Sequence, residues 1–186
     1  MINTLIGIIG PTCSGKSTVT RMIQEFVIVD VVSFGKYLYD YSIENNLPTD
    51  KPSLQDLGNS FIHGDPEAFL RSVLNHGMTG KKTVLIEGVR HKIIFDFLKK
   101  LSANSHFIYV DASSMTRYLR YCERNHFSPE EYTFDQFELM ENHIVESEIK
   151  FLKEKCDVLI ENDVIDINEL STRISSIIEY FNSDVF

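Results

Sequence analysis

A short apolar segment that runs directly into a glycine-rich loop constrains the fold of this chain more than any other feature. Residues 4–9 read Thr-Leu-Ile-Gly-Ile-Ile, and residues 10–17 match the pattern G-x-x-x-x-G-K-[ST] at every fixed position. A helical pattern follows over residues 15–26. This order predicts a strand, a loop and a helix whose N-terminus binds phosphate together with successive backbone N–H groups. The alternative is a chance glycine-rich turn, which the flanking patterns disfavour.

The loop backbone is suited to a nucleoside triphosphate. Gly10 and Gly15 permit backbone angles that other residues resist, so the N–H groups between them are expected to converge on the phosphates. The residues expected to line this anion site are Gly10, Thr12, Cys13, Ser14 and Gly15. A thiol at a helix N-terminus can have a lowered pKa, which raises the hypothesis of a redox switch at Cys13; the alternative is a small, variable loop residue.

Three side chains at the start of the helix complete the predicted ATP site. Lys16 is expected to reach the β- and γ-phosphates, and the hydroxyl of Ser17 to bind Mg²⁺. Thr18 is expected to hydrogen-bond the α-phosphate. The motif therefore predicts ATP and Mg²⁺ as ligands.

Strand and helix patterns alternate along the rest of the chain. Near-continuous apolar runs predict buried strands at residues 4–9, 27–32, 83–86, 106–110 and 157–161. Helices are predicted at residues 15–26, 34–45, 54–61, 66–76, 91–101, 114–125, 134–155 and 167–181. This alternation predicts an α/β fold of the P-loop NTPase type, with three α/β/α layers around a five-stranded parallel sheet.

We interpret residues 1–186 as a single domain. Within it, residues 34–76 form a candidate acceptor-binding helical segment. Residues 125–133 are polar and contain Pro129, so they form either a plain connector or a short lid over substrate. Ligands of such folds bind beyond the carboxyl ends of the strands.

Composition narrows the classes of partner. The net charge of −9 and pI of about 5.1 argue against a broad cationic face for nucleic acid or anionic membrane. Three widely spaced cysteines without a CxxC pair argue against a disulfide framework and favour the cytoplasm. No apolar run approaches the roughly 20 residues of a membrane span. No pattern specifies an oligomeric state.

A carboxylate and an arginine follow the third predicted strand. Glu87 ends this strand, where it can hold the Mg²⁺ shell or orient the attacking group. Arg90 follows the glycine turn at Gly88 and is expected to face the same crevice. The alternative is a solvated charge pair at a strand end.

Three arginines fall at i, i+3 and i+7 of the helix predicted at residues 114–125. Arg117, Arg120 and Arg124 would then share a face and could neutralise charge on the transferred phosphoryl group. A solvated helix face is the alternative. A second charged face, carrying Glu138, Glu141, Glu146 and Glu148, is interpreted as solvated.

These features resemble the nucleoside monophosphate kinase-like P-loop kinases, which include adenylate kinases and dephospho-coenzyme A kinases. Residues 10–18, 87–90, 117–124, 52–58 and 156–162 carry the resemblance, which spans nearly the whole chain. It implies an ATP-dependent kinase in which Lys16, Ser17 and Thr18 bind donor phosphates.

The resemblance also implies the other site residues. Arg120 and Arg124 would contact the transferred phosphoryl group, and Arg90 the acceptor phosphate. Residues 162–164, beginning with Asn162, would border the adenine. The acceptor-site helix would open with Ser33, Phe34 and Gly35.

Two departures weaken the acceptor assignment. Tyr39 stands where the family carries an arginine, and a second family arginine is replaced near Lys51 or Pro52. Tyr37, Tyr39 and Phe34 could stack on a base or simply pack in the core. The leading hypothesis is phosphotransfer to a small nucleotide-like acceptor; the alternative is an NTP-binding regulatory module. The net charge disfavours a nucleic-acid kinase.

Overall fold

The computed structural model describes residues 2–128, 130–141, 144–163 and 166–183. The strands are β1 (Thr4–Ile9), β2 (Asp30–Ser33), β3 (Thr83–Glu87), β4 (Asn104–Asp111) and β5 (Val158–Glu161). The helices are α1 (Lys16–Phe26), α2 (Phe34–Glu44), α3 (Lys51–Gly64), α4 (Pro66–Gly77), α5 (Lys92–Leu101), α6 (Ser114–Asn125), α7 (Phe134–Glu141), α8 (Ile144–Leu152) and α9 (Ile167–Ser183), with a 3₁₀ turn at Lys153–Lys155.

All five strands are parallel and lie in the order β2-β3-β1-β4-β5. This confirms the predicted α/β fold with its five-stranded parallel sheet. Ile8 of β1 and Ser33 of β2 are both paired with Glu87 of β3. The carboxyl ends of these three strands therefore meet at one edge, where the loops that follow them can share a site.

Helices cover both faces of the sheet. On β1, Leu5 and Ile9 pack on one face and Ile6 and Ile8 on the other, as the period of two in a strand requires. The first face is covered by Leu70, Val73, Ile94, Leu98, Ile149 and Leu152 from α4, α5 and α8. The second face is covered by Val19, Ile23, Ile174 and Phe181 from α1 and α9. Burial of each such side chain contributes about 1.5–3 kcal/mol.

Aspartate caps set the starts of α3 and α4. The Asp65 side chain accepts a hydrogen bond from the N–H of Ala68, with Pro66 in the first turn, so α4 begins at the predicted residue 66. Asp50 caps α3 in the same way through the N–H of Ser53. Helix α3 therefore begins at Lys51, three residues before its predicted start. Pro52 does not prevent this, because proline is tolerated in the first turn of a helix.

The acidic segment predicted as one helix over residues 134–155 contains α7 and α8, with residues 142 and 143 outside the described residues. Glu138 is exposed, as predicted. The prediction is wrong for Glu141, which forms an ion pair with Arg117 in a largely buried position. Glu148 accepts a hydrogen bond from the N–H of Lys92. The side chain of Glu146 lies outside the described residues.

None of the helices in the described ranges is both long enough and apolar enough to cross a bilayer.

Candidate active site

The loop after β1 adopts a conformation that requires its two glycines. Gly10 has φ +146° and Gly15 has φ +101°. A Cβ at Gly10 would lie 2.0 Å from the carbonyl oxygen of Val110, and one at Gly15 would lie 2.1 Å from Nδ2 of Asn162. At both distances a neighbouring group would have to move, and both residues have a positive φ that favours glycine, so the observed loop conformation depends on glycine at these two positions.

Two side chains from distant elements hold the loop. Asn162, which follows β5 and is 7% exposed, donates from Nδ2 to the carbonyl oxygen of Ser14 at 2.8 Å. Arg120 of α6 donates to the carbonyl oxygen of Asn162 at 2.8 Å and to that of Ser14 at 3.4 Å. Asn162 therefore supports the loop, and its contact with adenine stays a prediction. Val164 of the same predicted segment lies outside the described residues.

Six of the nine predicted ATP-site residues line one pocket of the described structure, whereas Gly10, Ser14 and Asn162 are not on its lining. Thr12, Cys13, Gly15, Lys16, Ser17 and Thr18 line a pocket of about 790 Å³. The Lys16 ammonium donates to the carbonyl oxygen of Pro11 at 2.6 Å, so it lies folded over the loop. Ser14 is buried, and its hydroxyl has no hydrogen-bond partner among the residues that the structure describes.

The environment of the Cys13 thiol bears on the two alternatives left open by the sequence. Burial raises the pKa of Cys13 above its ordinary value, although Arg124, Lys51 and Lys16 act in the opposite direction. Desolvation disfavours the thiolate more than the nearby cations favour it. This direction opposes the lowered pKa on which the redox-switch hypothesis rests and favours the alternative of a small, variable loop residue.

The end of β3 supplies a carboxylate beside the loop. The hydroxyl of Thr20 donates to Oε2 of Glu87 at 3.0 Å, which orients the carboxylate toward α1. Glu87 and Ser17 both line the pocket. No group of three or more His, Cys, Asp or Glu side chains suited to a metal occurs in the described part of the chain. Mg²⁺ can bind through one or two protein oxygens together with phosphates and water, and Ser17 and Glu87 supply a hydroxyl and a carboxylate to the pocket.

The same pocket extends away from the phosphate loop into a recess between α2, α3 and the end of β3. Its lining includes Ser33, Phe34, Gly35, Leu38, Tyr39, Thr49, Lys51, Leu54, Gln55, Gly58, Phe69, Val89, Arg90 and Ile94. Ser33 caps α2 by accepting from the N–H of Lys36, and Phe34 packs edge-on against Phe69 at 5.5 Å. The structure thus brings the predicted acceptor residues next to the predicted ATP residues.

Two residues of this recess were not assigned a role from the sequence. The Lys51 ammonium donates to Oγ1 of Thr12 at 2.9 Å and lies 3.5 Å from the sulfur of Met140. Gln55, one helical turn later, also lines the recess. The sequence does carry a cue, because Lys51 and Gln55 are four residues apart on a helix that Asp50 caps.

The arginines of α6 divide into two sets. Arg120 and Arg124 line the pocket, as the predicted clamp requires. Arg117 is 6% exposed and donates from Nε to the carbonyl oxygen of Ala112 at 2.9 Å, while its guanidinium pairs with Glu141. The prediction of three arginines on one functional face is wrong for Arg117, because α7 covers that part of the helix.

The aromatic residues of α2 also divide. Tyr37 packs against Tyr41, Phe61 and Phe69, with ring centroids 5.8–6.4 Å apart, so it belongs to the core between α2, α3 and α4. Tyr39 is exposed and lines the recess. Tyr39 is therefore available for stacking, whereas Tyr37 is not.

The described part of the predicted lid packs against its neighbours. Tyr118 of α6 donates to the carbonyl oxygen of Tyr132 at 2.8 Å. Tyr132 joins a small cluster with Cys122 and Phe137. Pro129 lies outside the described residues. Closure of residues 125–133 over substrate stays a prediction.

The fold and the phosphate loop define the class as a P-loop protein with the kinase fold. The shikimate kinases of Bacteroides thetaiotaomicron and Aquifex aeolicus superpose with TM-scores of 0.62 and 0.56 at 11% and 17% identity. The superpositions cover 95% and 98% of this chain, and 98% and 100% of the two shikimate kinase chains, respectively. A gluconokinase from Sinorhizobium meliloti has a TM-score of 0.53 at 14% identity, over 100% of this chain and 99% of its own. These similarities confirm the predicted P-loop kinase resemblance at the level of the fold.

Sequence similarity gives the family. A UPF0200 protein of Methanococcus maripaludis is 31% identical over 129 residues, which are 65% of this chain and 67% of the relative. The chain belongs to the UPF0200 family. No family model matches the sequence.

Proposed function

We propose that this protein transfers the γ-phosphoryl group of ATP to a small, nucleotide-like acceptor. One observation carries the proposal: the phosphate loop and the recess between α2, α3 and β3 open into a single pocket of about 790 Å³. Glu87, at the end of β3, and Arg90, in the turn that follows, also line that pocket. A donor and an acceptor bound in the two halves would face each other, which is the main requirement of phosphoryl transfer.

The transfer itself needs little covalent chemistry from the protein. An oxygen of the acceptor would bond to the γ-phosphorus as the bond from that phosphorus to the β,γ-bridging oxygen breaks, and ADP would leave with the bond electrons. Lys16, Arg120 and Arg124 would neutralise charge on the transferred group. An acceptor phosphate needs no base, and Glu87 could take the proton of an acceptor hydroxyl.

Mg²⁺ would be held by Ser17 and, directly or through water, by Glu87. When bound, it would neutralise charge on the phosphate oxygens of ATP. Ser33, Phe34 and Gly35 would contact the acceptor, with Arg90 on its phosphate.

We further propose that the acceptor is a small molecule and that the reaction takes place in the cytoplasm. The net charge of −9 supports a small acceptor over nucleic acid. Cys13, Cys122 and Cys156 are free thiols, which supports a reducing compartment.

The test is acceptor-dependent release of ADP in a coupled assay. The acceptor panel contains ribo- and deoxynucleoside monophosphates, dephospho-coenzyme A, shikimate and gluconate, each with ATP and Mg²⁺. We expect turnover with at least one nucleotide-like member and loss of that turnover in Lys16→Met. Binding of ATP with ADP release that no acceptor stimulates would overturn the proposal and favour the regulatory NTP-binding module.

A further inference from the structure

His91 joins the turn after β3 to helix α5 and lines the pocket. It is the N-cap residue of α5, with an extended backbone (φ −107°, ψ 136°), but its side chain makes no capping hydrogen bond. The imidazole instead lies with Nδ1 at 3.2 Å from Oε1 of Glu148 on α8. The orientation of the ring is therefore set by a carboxylate from another element and not by the helix that His91 begins.

The carboxylate of Glu148 is held through both of its oxygens. Its Oε2 accepts a 2.9 Å hydrogen bond from the N–H of Lys92, the first residue of α5, while Oε1 contacts the imidazole. The N-terminus of a helix favours a negative charge at this position. An ionised carboxylate accepts hydrogen bonds and cannot donate one, so the contact places the proton of a neutral His91 on Nδ1. The lone pair of the ring is then on Nε2.

The Nε2 atom of His91 is accessible. It makes no hydrogen bond to any residue that the structure describes. Among the same residues, the buried polar side-chain atoms without a partner belong to Ser14, Ser42 and Gln55, so Nε2 of His91 retains accessible surface. The side chain as a whole is 13% exposed. Because His91 lines the pocket, this nitrogen can accept a hydrogen bond from a bound molecule.

A base is otherwise scarce in this pocket. Of the lining residues that the structure describes, Glu87 carries the one carboxylate and His91 the one imidazole. The charged residues of the opposite sign are Lys16, Lys51, Arg90, Arg120 and Arg124. Glu87 already accepts a hydrogen bond from Thr20 and is assigned to Mg²⁺ above, where the cation would weaken it as a base. An imidazole oriented by a carboxylate is the arrangement that allows histidine to act as a general base.

We propose that His91 and Glu148 form a proton-accepting dyad of the phosphotransfer site, and that the acceptor is phosphorylated on a hydroxyl group. The hydroxyl proton would pass to Nε2 of His91 as the hydroxyl oxygen bonds to the γ-phosphorus, and the β,γ-bridging oxygen would leave in ADP with the electrons of the broken bond. Glu148 would stabilise the resulting imidazolium and acts as a positioning residue. The proposal rests on the phosphotransfer function proposed above and assigns its acceptor to the alcohols, since a phosphate acceptor needs no base.

Nuclear magnetic resonance tests the dyad without requiring turnover. In the full chain labelled with ¹⁵N-histidine, long-range ¹H–¹⁵N correlations recorded at about pH 9, where an ordinary imidazole is neutral, show which ring nitrogen carries the proton. The signals of His91 are assigned by their loss in His91→Gln. We expect the proton on Nδ1 and none on Nε2, and we expect Glu148→Ala to remove this preference. A proton on Nε2 of the parent protein would overturn the dyad.

Kinetics with a hydroxyl acceptor test the catalytic role of His91. His91→Gln should lower kcat about 100-fold with little change in the KM for ATP, and Glu148→Gln, which keeps an accepting oxygen, should lower it about tenfold. Free imidazole should restore part of the activity of His91→Gly, which a purely structural histidine would not show. His63→Gln, at an exposed position of α3, is the matched control. Equal kcat values for His91→Gln and His63→Gln would overturn the role of His91.

The acceptor panel separates this inference from the phosphotransfer function. Phosphorylation of dephospho-coenzyme A, shikimate or gluconate on a hydroxyl, with a rate that depends on His91, would support the inference. Turnover confined to the phosphate groups of nucleoside monophosphates would overturn the inference and leave phosphotransfer in place. ATP binding without acceptor-dependent release of ADP would overturn both phosphotransfer and the catalytic role of His91.

Discussion

The side-chain amide of Asn162 donates a 2.8 Å hydrogen bond to the carbonyl oxygen of Ser14, 148 residues earlier in the chain. The carbonyl oxygen of Asn162 in turn accepts a hydrogen bond from Arg120 at 2.8 Å. The phosphate loop is therefore fixed from its rear by residues after β5 and on α6. This arrangement orders the anion site before any ligand enters, which lowers the entropy lost on binding.

Asn162→Ala should loosen the phosphate loop. Removal of one buried hydrogen bond and its close packing should reduce stability by about 1–2 kcal/mol. ATP affinity should fall about tenfold, because part of the binding free energy would then order the loop. Calorimetric titration of ATP and thermal unfolding measure the two effects. Asn168→Ala, at an exposed position on α9, should leave both unchanged; unchanged ATP affinity in Asn162→Ala would contradict the supporting role.

Gly15→Ala should abolish ATP binding in a folded protein. The new Cβ would lie 2.1 Å from Nδ2 of Asn162, at a residue whose φ is +101°. Either the loop or Asn162 must then move, and the N–H groups would no longer converge on the phosphates. Gly64→Ala is the matched control, since a Cβ there meets nothing within 4 Å. Circular dichroism verifies folding; a Gly15→Ala protein that binds ATP normally would refute the argument.

Arg117→Met should affect stability and spare the nucleotide site. Arg117 is 6% exposed, and its loss would leave Glu141 without its cation in a largely buried position. Breaking such a pair costs about 3 kcal/mol or more. Denaturant unfolding should show this loss, and the double variant Arg117→Met/Glu141→Leu should recover much of it. A drop in turnover with unchanged stability would instead restore Arg117 to the predicted arginine clamp.

Asp30→Asn should destabilise the protein by about 2 kcal/mol at neutral pH. Asp30 is 4% exposed and accepts hydrogen bonds from the N–H groups of Thr79, Gly80 and Lys81, and from the Thr79 hydroxyl. Burial alone would raise the pKa of Asp30, but these hydrogen bonds outweigh burial and lower the pKa below its ordinary value.

The pH dependence follows from that direction. A carboxylate with a lowered folded-state pKa stabilises the fold fully above its unfolded pKa of about 3.9, and the contribution is lost as pH falls through the folded value. The stability difference between the parent protein and Asp30→Asn should therefore shrink below about pH 4. Urea unfolding at several pH values measures it, with Glu25→Gln as the exposed control. A difference that does not vary with pH would contradict the assignment.

Local patterns predicted the elements well because each pattern reflects local physics. The bounds of β1 and α6 agree with the structure, and the Asp65 cap explains the start of α4. The strand predicted at residues 27–32 begins three residues before β2, which starts at Asp30. Val27 and Val29 are apolar because they pack against the core cluster that contains residues of α1, and not because they pair with a neighbouring strand. Periodicity reports burial, and burial does not require a hydrogen-bonded partner strand.

Side-chain partners were harder to predict. Helical spacing placed Arg117 with Arg120 and Arg124, but spacing cannot show that α7 covers one end of that face. Helical spacing also assigned no role to Lys51, whose ammonium donates a hydrogen bond to Thr12, 39 residues earlier in the chain. Such contacts depend on how helices pack on the sheet, and the helical spacing of Lys51 and Gln55 does not show which neighbour their shared face will contact.

By itself, the sequence determined the phosphate loop and the parallel α/β fold. Both follow from short-range rules: glycine conformational freedom, strand alternation and helix caps. Tertiary structure decided which charged side chains line the pocket beside the phosphate loop, which are buried in ion pairs, and that α3 lines the recess of that pocket. The physical reason is distance along the chain, since the contacts of Asn162 with Ser14 and of Lys51 with Thr12 exist only after the sheet brings their loops to one edge.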